Sequence, residues 1–425
     1  MAELKRTLGL FECTVLGVGV ILGAGIYALV GRAAALGGNV VWASFAGAAL
    51  VAACTGLSYA ELASFIPRAG GEYHYARRAF GGFVAFMMSW MLLAGLAVAS
   101  GAVALGFGGY LARLTSVDPV LGAVLALGGS MALLLWGIKE SVRVATFATA
   151  LEVVGLLAVL WVGLPHLGEV DVLQPGPEGL SGVAQAAALI FFAYIGFEEI
   201  VQLAEETRDP TRTLPLALVL SIVITTVIYV AVALAAISVV GWERLGASEA
   251  PLAEVFAAGG WTGTAAISAI ALFSTGNTVL ILLMSASRLL YGMAEDGALP
   301  PVLARVGEGR QTPWTATVLV TVAGAAVAVG FEDIESVANL TNMAIFATFL
   351  VINAAVIALR FKEPTTPRPF RLPLSIAGVP LLPVAGLVTV IFLAGQTESG
   401  TGGWALGLFA VGVLVWMQGR RDKPS

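Results

Sequence analysis

Long apolar runs, parted by short polar segments that carry most of the Lys, Arg and Pro residues, set the rhythm of this chain. A helix needs about 20 apolar residues to cross about 30 Å of hydrocarbon. Twelve segments are candidates. The first six run roughly Leu8 to Val30, Val41 to Ala60, Phe83 to Leu111, Val120 to Trp136, Val144 to Leu164 and Val183 to Leu203. The second six run Leu216 to Val240, Thr264 to Met293, Thr315 to Phe331, Val337 to Leu359, Ile376 to Leu393 and Trp404 to Met417. Backbone N–H and C=O groups cannot stay unpaired in lipid, so each run predicts a helix. Pro119, Pro215, Pro313 and Pro373 stand just before spans and Pro165 just after one, where proline marks helix ends.

Composition narrows the class. The chain is 58% hydrophobic and 12% charged, with a mean hydropathy of +0.92. That is about half the charge of a soluble domain, too little to cover 425 residues in water. A soluble enzyme, a disordered chain and a nucleic-acid binder are excluded, the last also by the acidic pI near 5.2. A membrane barrel would show alternating strands instead of continuous runs. Cys13 and Cys54 both sit inside apolar runs without a CxxC pair, and His74 and His166 lie far apart in loops. Neither a metal site nor a catalytic cluster has its materials. The N-terminus reads as a short tail without a small-residue cleavage site, so no removed signal peptide is expected. With both termini placed in the cytoplasm, only Arg32, Arg113 and Arg244 of the 22 Lys and Arg residues fall outside. An error of one in the span count would scramble this alternation, so the positive-inside bias supports twelve spans.

Two spans are interrupted. The first contains GVGVILGAGIYALVG, with Gly23 and Gly25 at mid-span, and the sixth contains ALIFFAYIGFEEIVQLAEE, with Gly196 at mid-span. Breaks at matching positions of two five-helix halves, spans 1 to 5 and 6 to 10, point to a transporter site. For a single span, close helix packing explains such glycines equally well. In the sixth, Glu198 and Glu199 follow the break at a depth where a carboxylate costs at least about 2.5–3.5 kcal/mol, so they need a cavity or a partner. A half-helix starting after Gly23 to Gly25 offers N–H groups and a positive dipole end to a carboxylate. The half-helices ending near Ile21 and near Phe192 to Ile195 offer C=O groups to an ammonium. A zwitterion fits such a pair of breaks.

The motifs GAGIYALVG, PRAGGEYHYARRAFG, FFAYIGFEEIVQLAEETRDPTRTLP and SRLLYGMAEDGALP occur in that order. Together they resemble the amino acid–polyamine–organocation (APC) permeases along essentially the whole chain. The resemblance implies an all-α membrane protein of one transmembrane domain. Its fold would be a LeuT-like five-plus-five inverted repeat (about 8–164 and 183–359) plus two C-terminal helices (about 376–417), twelve in all. It implies alternating access and an amino acid substrate. Carried onto this chain, the family's backbone site falls on Ile21, Gly23, Ala24 and Gly25 and on Phe192, Ala193 and Ile195. Phe192 matches an aromatic lid, with ordinary packing as the alternative, and Glu198 matches an acidic gate.

The position aligned with Glu152 in the fifth span is a lysine in some proton-coupled relatives. Here it is a glutamate, which removes a lysine-based mechanism but leaves a titratable group. Ser274, Asn277 and Thr278 share one face of the eighth span, with Thr275 beside them. Three roles stay open for Glu152: a proton carrier, a structural partner holding spans 1, 5 and 8, or an oxygen ligand for sodium. Glu12 and Glu61 near span ends read as hydrated or paired. Glu205, Glu206 and Asp209 read as a solvated loop or as partners of Arg77 or Arg78.

The function expected is secondary active transport of amino acids across the cell membrane, by proton-coupled uptake of neutral ones. A sodium-independent exchanger and a sodium-coupled symporter are the alternatives. The side-chain pocket is expected from spans 3, 6, 8 and 10, of which 3 and 10 carry no charge. No cofactor is expected beyond a coupling proton or sodium, and no metal site. The expected partners are the small-molecule substrate and the lipid bilayer. Nucleic acid is not among them, nor is a disulfide-linked subunit, since the loop from Arg113 to Pro119 has no cysteine.

Overall fold

Backbone groups that cannot reach water must pair along their own segment, and almost every apolar run is helical. The computed structural model describes residues 6–68, 70–248, 251–260, 264–307, 310–330, 334–396 and 401–421. Its helices are α1 (Leu10–Leu22), α2 (Ala24–Gly37), α3 (Val41–Phe65), α4 (Gly71–Phe80), α5 (Gly82–Leu114), α6 (Pro119–Trp136), α7 (Ile138–Gly163) and α8 (Gly179–Tyr194). There follow α9 (Glu199–Gln202), α10 (Pro210–Ala247), α11 (Pro251–Ala258), α12 (Thr264–Glu295), α13 (Trp314–Gly330), α14 (Ile334–Lys362), α15 (Leu381–Ala394) and α16 (Thr401–Arg421). A two-residue-per-strand hairpin, Ser375–Ile376 against Val379–Pro380, precedes α15.

Among the described residues, nine helical segments are long and apolar enough to cross a membrane. The shorter apolar helices Trp314–Gly330, Leu381–Ala394 and Leu406–Met417 fall where three further spans are expected. Phe147, Leu157, Trp161, Val227 and Leu414 are exposed, whereas Glu61, Glu152, Glu198 and Arg288 are buried. This inversion of the soluble pattern fits a protein whose solvent is lipid. Inside, α2 packs on α8, α1 and α3 on α10, and α5 on α12. A left-handed Gly241 (φ 72°) kinks α10 near its end.

Ion pairs knit one face of the bundle. Glu61 on α3 accepts from Arg360 of α14 at both oxygens (3.0 and 2.5 Å), from the Leu372 N–H (2.8 Å), and lies 3.3 Å from Arg368. It is 1% exposed, and Arg360 also reaches Ser375 and the Leu372 carbonyl. Two guanidiniums thus face one buried carboxylate, Arg368 also donating to the Leu359, Glu363 and Thr366 carbonyls. Breaking a buried pair from one side leaves an uncompensated charge. Glu61→Ala is therefore expected to destabilise the protein by about 3–5 kcal/mol. A thermal melt in detergent checks this, and an unchanged transition would refute it.

On the same face α4 is pinned by Arg77 to Asp296 (2.5 Å) and by Arg78, bidentate, to Glu363 (2.8 and 2.6 Å). Arg78 holds the Glu363 carboxyl below its usual range. These are not the partners the loop after the sixth span suggests. Glu206 is buried there, facing Arg288 at 3.4 Å, so neither a solvated loop nor a pairing with Arg77 or Arg78 describes it. Glu12 caps its own helix, accepting from the Gly9 N–H (2.8 Å).

Candidate functional site

Both predicted interruptions are real. α1 and α2 part at Gly23, whose backbone (φ −52°, ψ −146°) leaves the helical region. α8 stops at Tyr194, and residues 195–198 form a turn before α9, with Gly196 left-handed at φ 121°. A side chain at Gly196 would collide with Val20, so the second break is also packed against the first half-helix. Glu198 stabilises the turn by accepting from the Gly196 N–H (3.0 Å).

The breaks meet face to face. A Cβ placed on Gly25 would lie 2.5 Å from Ala193 Cβ and 2.6 Å from its Cα. Glycine is thus what allows the two backbones to touch. A fully buried tyrosine on α10 links them from behind. The Tyr229 hydroxyl reaches the Ile21 carbonyl, closely, and the Ala193 carbonyl at 3.1 Å. These carbonyls belong to the last turns of α1 and α8, where no intrahelical N–H remains to meet them.

A cavity of about 20 Å3, on the scale of a single water, lies at this meeting point. Ile21, Gly25, Phe192, Ala193 and Ile195 line it, as do Val20, Ala99, Val103, Thr278 and Leu282. Gly23 stands beside it as the hinge, in contact range of Thr278. Ala24 opens α2, but its side chain lies outside the described residues. Apart from the Thr278 hydroxyl, the lining side chains are apolar. α5 and α12 contribute as expected, whereas among the described residues no lining residue comes from α14, the helix of the tenth span.

Next to the first break lies a buried polar cluster. Glu152 on α7 is fully buried; its Oε1 accepts from Asn277 Nδ2 (3.1 Å), which also approaches Thr149 Oγ1 (3.2 Å). Glu152 Oε2 has no hydrogen-bond partner among the described residues. Ser274 lies beside the same carboxyl. A Cβ on Gly19 would strike Thr149 and come near Asn277, so α1 runs directly over the cluster. Thr275 does not join it. Its hydroxyl bonds the Ala271 and Leu272 carbonyls of its own helix (2.9 and 3.0 Å).

Sequence reasoning misses Ala99, Val103 and Leu282, which line the cavity, and Tyr229, which bridges the breaks. Tyr229 is an aromatic in an apolar run, and its partners lie 208 and 36 residues away. The one available signal is a tyrosine at mid-span, since a buried hydroxyl seeks a partner.

Two discontinuous helices meeting at mid-bundle, with a buried carboxyl beside one break, define a membrane transporter of small solutes. The chain belongs to the amino acid permease family, whose model matches residues 8–416. It is similar to the branched-chain amino acid permease BcaP of Bacillus subtilis, 31% identical over 98% of this chain and 91% of that one. It is also similar to the methylthioribose transporter of the same organism, 32% identical over 90% and 86%. In fold it resembles Mhp1, a nucleobase-cation-symport-1 family transporter solved in a closed conformation. The TM-score is 0.62 at 14% identity, covering 99% and 94% of the two chains. The protein is thus a multi-pass membrane transporter and not an enzyme.

Proposed function

We propose that this protein takes up neutral amino acids across the cytoplasmic membrane by alternating access, coupled to protons. The observation that carries the substrate class is the lining of the cavity between the breaks. Ile21, Val103, Phe192, Ile195 and Leu282 offer an apolar side chain a complementary surface, and among the described residues no charged one lines the cavity. Burying a cationic tail there would leave its charge uncompensated. In this reading the α-ammonium meets the Ile21 and Ala193 carbonyls and the α-carboxylate meets the first N–H groups of α2. Phe192 closes over the bound molecule, and Glu198 belongs to the gate.

Glu152 carries the proton. It sits against α1 with one unpartnered oxygen. A proton there lets the carboxyl remain in a low dielectric, and its loss favours hydration and movement of α1. Ser274 and Asn277 hold the carboxyl, and Thr275 shapes its helix. The frame is twelve spans, with inverted repeats over about 8–164 and 183–359, two further helices and both termini in the cytoplasm. The chain works without a disulfide-linked subunit.

The test is counterflow in proteoliposomes over the twenty amino acids and methylthioribose, followed by uptake under imposed pH or sodium gradients. Branched and small neutral amino acids are expected to exchange, with net uptake following the pH gradient. Competition by lysine or arginine alone would overturn the substrate class. Uptake that follows sodium would overturn the coupling, and no counterflow of any amino acid would overturn the reading itself.

A further inference from the structure

A second group of buried acids lies on the α4 side of the substrate site. Glu72, near the start of α4, is fully buried, and Gln202 at the end of α9 donates from Nε2 to its Oε2. Glu198, just before α9, and Glu199, its first residue, are 1% and 3% exposed. Glu72 and Glu198 both lie within electrostatic range of Glu199. Among the described residues none of these three carboxyls forms a salt bridge. Arg288 is engaged with Glu206 and the Met284 carbonyl.

Polar atoms aim into this group without completing it. Glu199 Oε1 and Ser285 Oγ of α12 face each other outside hydrogen-bond geometry, and both line a cavity of about 10 Å3 bounded by Leu16 and Gly17 of α1. That is about the room one water needs. Gln202 Oε1 is likewise buried and unmet. Among the described residues, the phenols Tyr59 of α3 and Tyr75 of α4 also lie within electrostatic range of Glu72. Three carboxylates this close, with no cation among them, cannot all be ionised while dry.

We propose that Glu72, Gln202 and Glu199 form a proton-holding latch between α4 and the half-helix α9, closed when protonated and released when its carboxyls ionise. The inference rests on alternating access, in which α1 and α9 must part from α4 and α12 to open this side. Parting breaks the Gln202–Glu72 bond and admits water to the carboxyls. Hydrated carboxyls ionise and repel, so their protons leave to the solvent of that side. Burial, reinforced by Glu198, pushes the Glu72 carboxyl up from 4.5 to about 8, against the pull of the Gln202 hydrogen bond. The sign follows. The bias toward the closed side is full below about 4.5, falls progressively as pH rises, and is gone above about 8, where Glu72 is ionised on either side. By the positive-inside count, the side that opens is the cytoplasm.

The test places a reporter cysteine at Met284, which lines the cavity, in a chain with Cys13 and Cys54 replaced by serine. A membrane-impermeant methanethiosulfonate is applied to the α4 face between about pH 6 and about pH 9, on either side of the Glu72 value of about 8. Relative to the thiol's own titration, labelling is expected to rise by about tenfold with pH in the parent. In Glu72→Gln that excess rise is expected to vanish. Gln202→Leu, which breaks the link and keeps the acids, is expected to raise labelling at low pH. An identical pH profile in the parent and Glu72→Gln overturns the latch. If Glu72→Gln does not fold, low-pH labelling of Gln202→Leu equal to the parent overturns it. The readout needs no substrate, so a failed counterflow assay leaves this result interpretable.

Discussion

Valine at position 25 abolishes amino acid binding and transport: this is the expected result of removing the contact between the two broken helices. The Gly25 backbone touches Ala193, and a Cβ would enter that contact at 2.5–2.6 Å. Part of the obstruction is backbone, which cannot rotate away. α2 and α8 must separate, and the carbonyls and N–H groups at the breaks then lose their common geometry. Misplacing such groups by an ångström can cost about 100-fold. A loss of at least that size is expected for Gly25→Val, with Gly25→Ala intermediate. Ligand-induced thermal stabilisation reads the binding and counterflow reads the transport. Retention of parental affinity by both variants would falsify the backbone site.

Glu152→Gln is expected to eliminate uptake driven by a pH gradient while leaving substrate exchange intact. Glutamine keeps the shape and an oxygen for Asn277 Nδ2, whose bond to Glu152 Oε1 is 3.1 Å. The substitution therefore spares the tie between α7 and α12 and removes only the titration. Proteoliposomes with imposed gradients separate the two roles. Undiminished gradient-driven uptake makes Glu152 a structural tie. Loss of uptake and exchange together means that its charge supports the substrate site itself.

What could be read from the sequence follows the range of each interaction. Gly23 and Gly196 announce their breaks because glycine in mid-span is a local signal, and Glu198 beside Gly196 strengthens it. The apolar runs announce their helices for the same reason. Glu61 reads only as hydrated or paired, because Arg360 lies 299 residues away. Glu72 and Gln202 are 130 residues apart, one in the polar segment between the second and third spans and the other at the end of the sixth, and nothing local names either as the other's partner. Ser274, Thr275, Asn277 and Thr278 illustrate a finer limit. Helical spacing places Ser274 and Asn277 on the face that meets Glu152. Thr275 lies close in sequence, but its hydroxyl turns back to its own helix. Periodicity assigns a face, whereas the hydroxyl rotor is set by the nearest unmet carbonyl.

The Tyr229 hydroxyl has one proton and two carbonyls to serve, at Ile21 and Ala193. Whichever helix end receives it, the other must find a donor elsewhere, so a single hydroxyl couples the hydrogen bonding of the two breaks. In the proposed reading, an amino acid's ammonium brings three donors to these two acceptors. Under the proposed reading, the two helix ends compete for one hydroxyl proton until a substrate ammonium serves both.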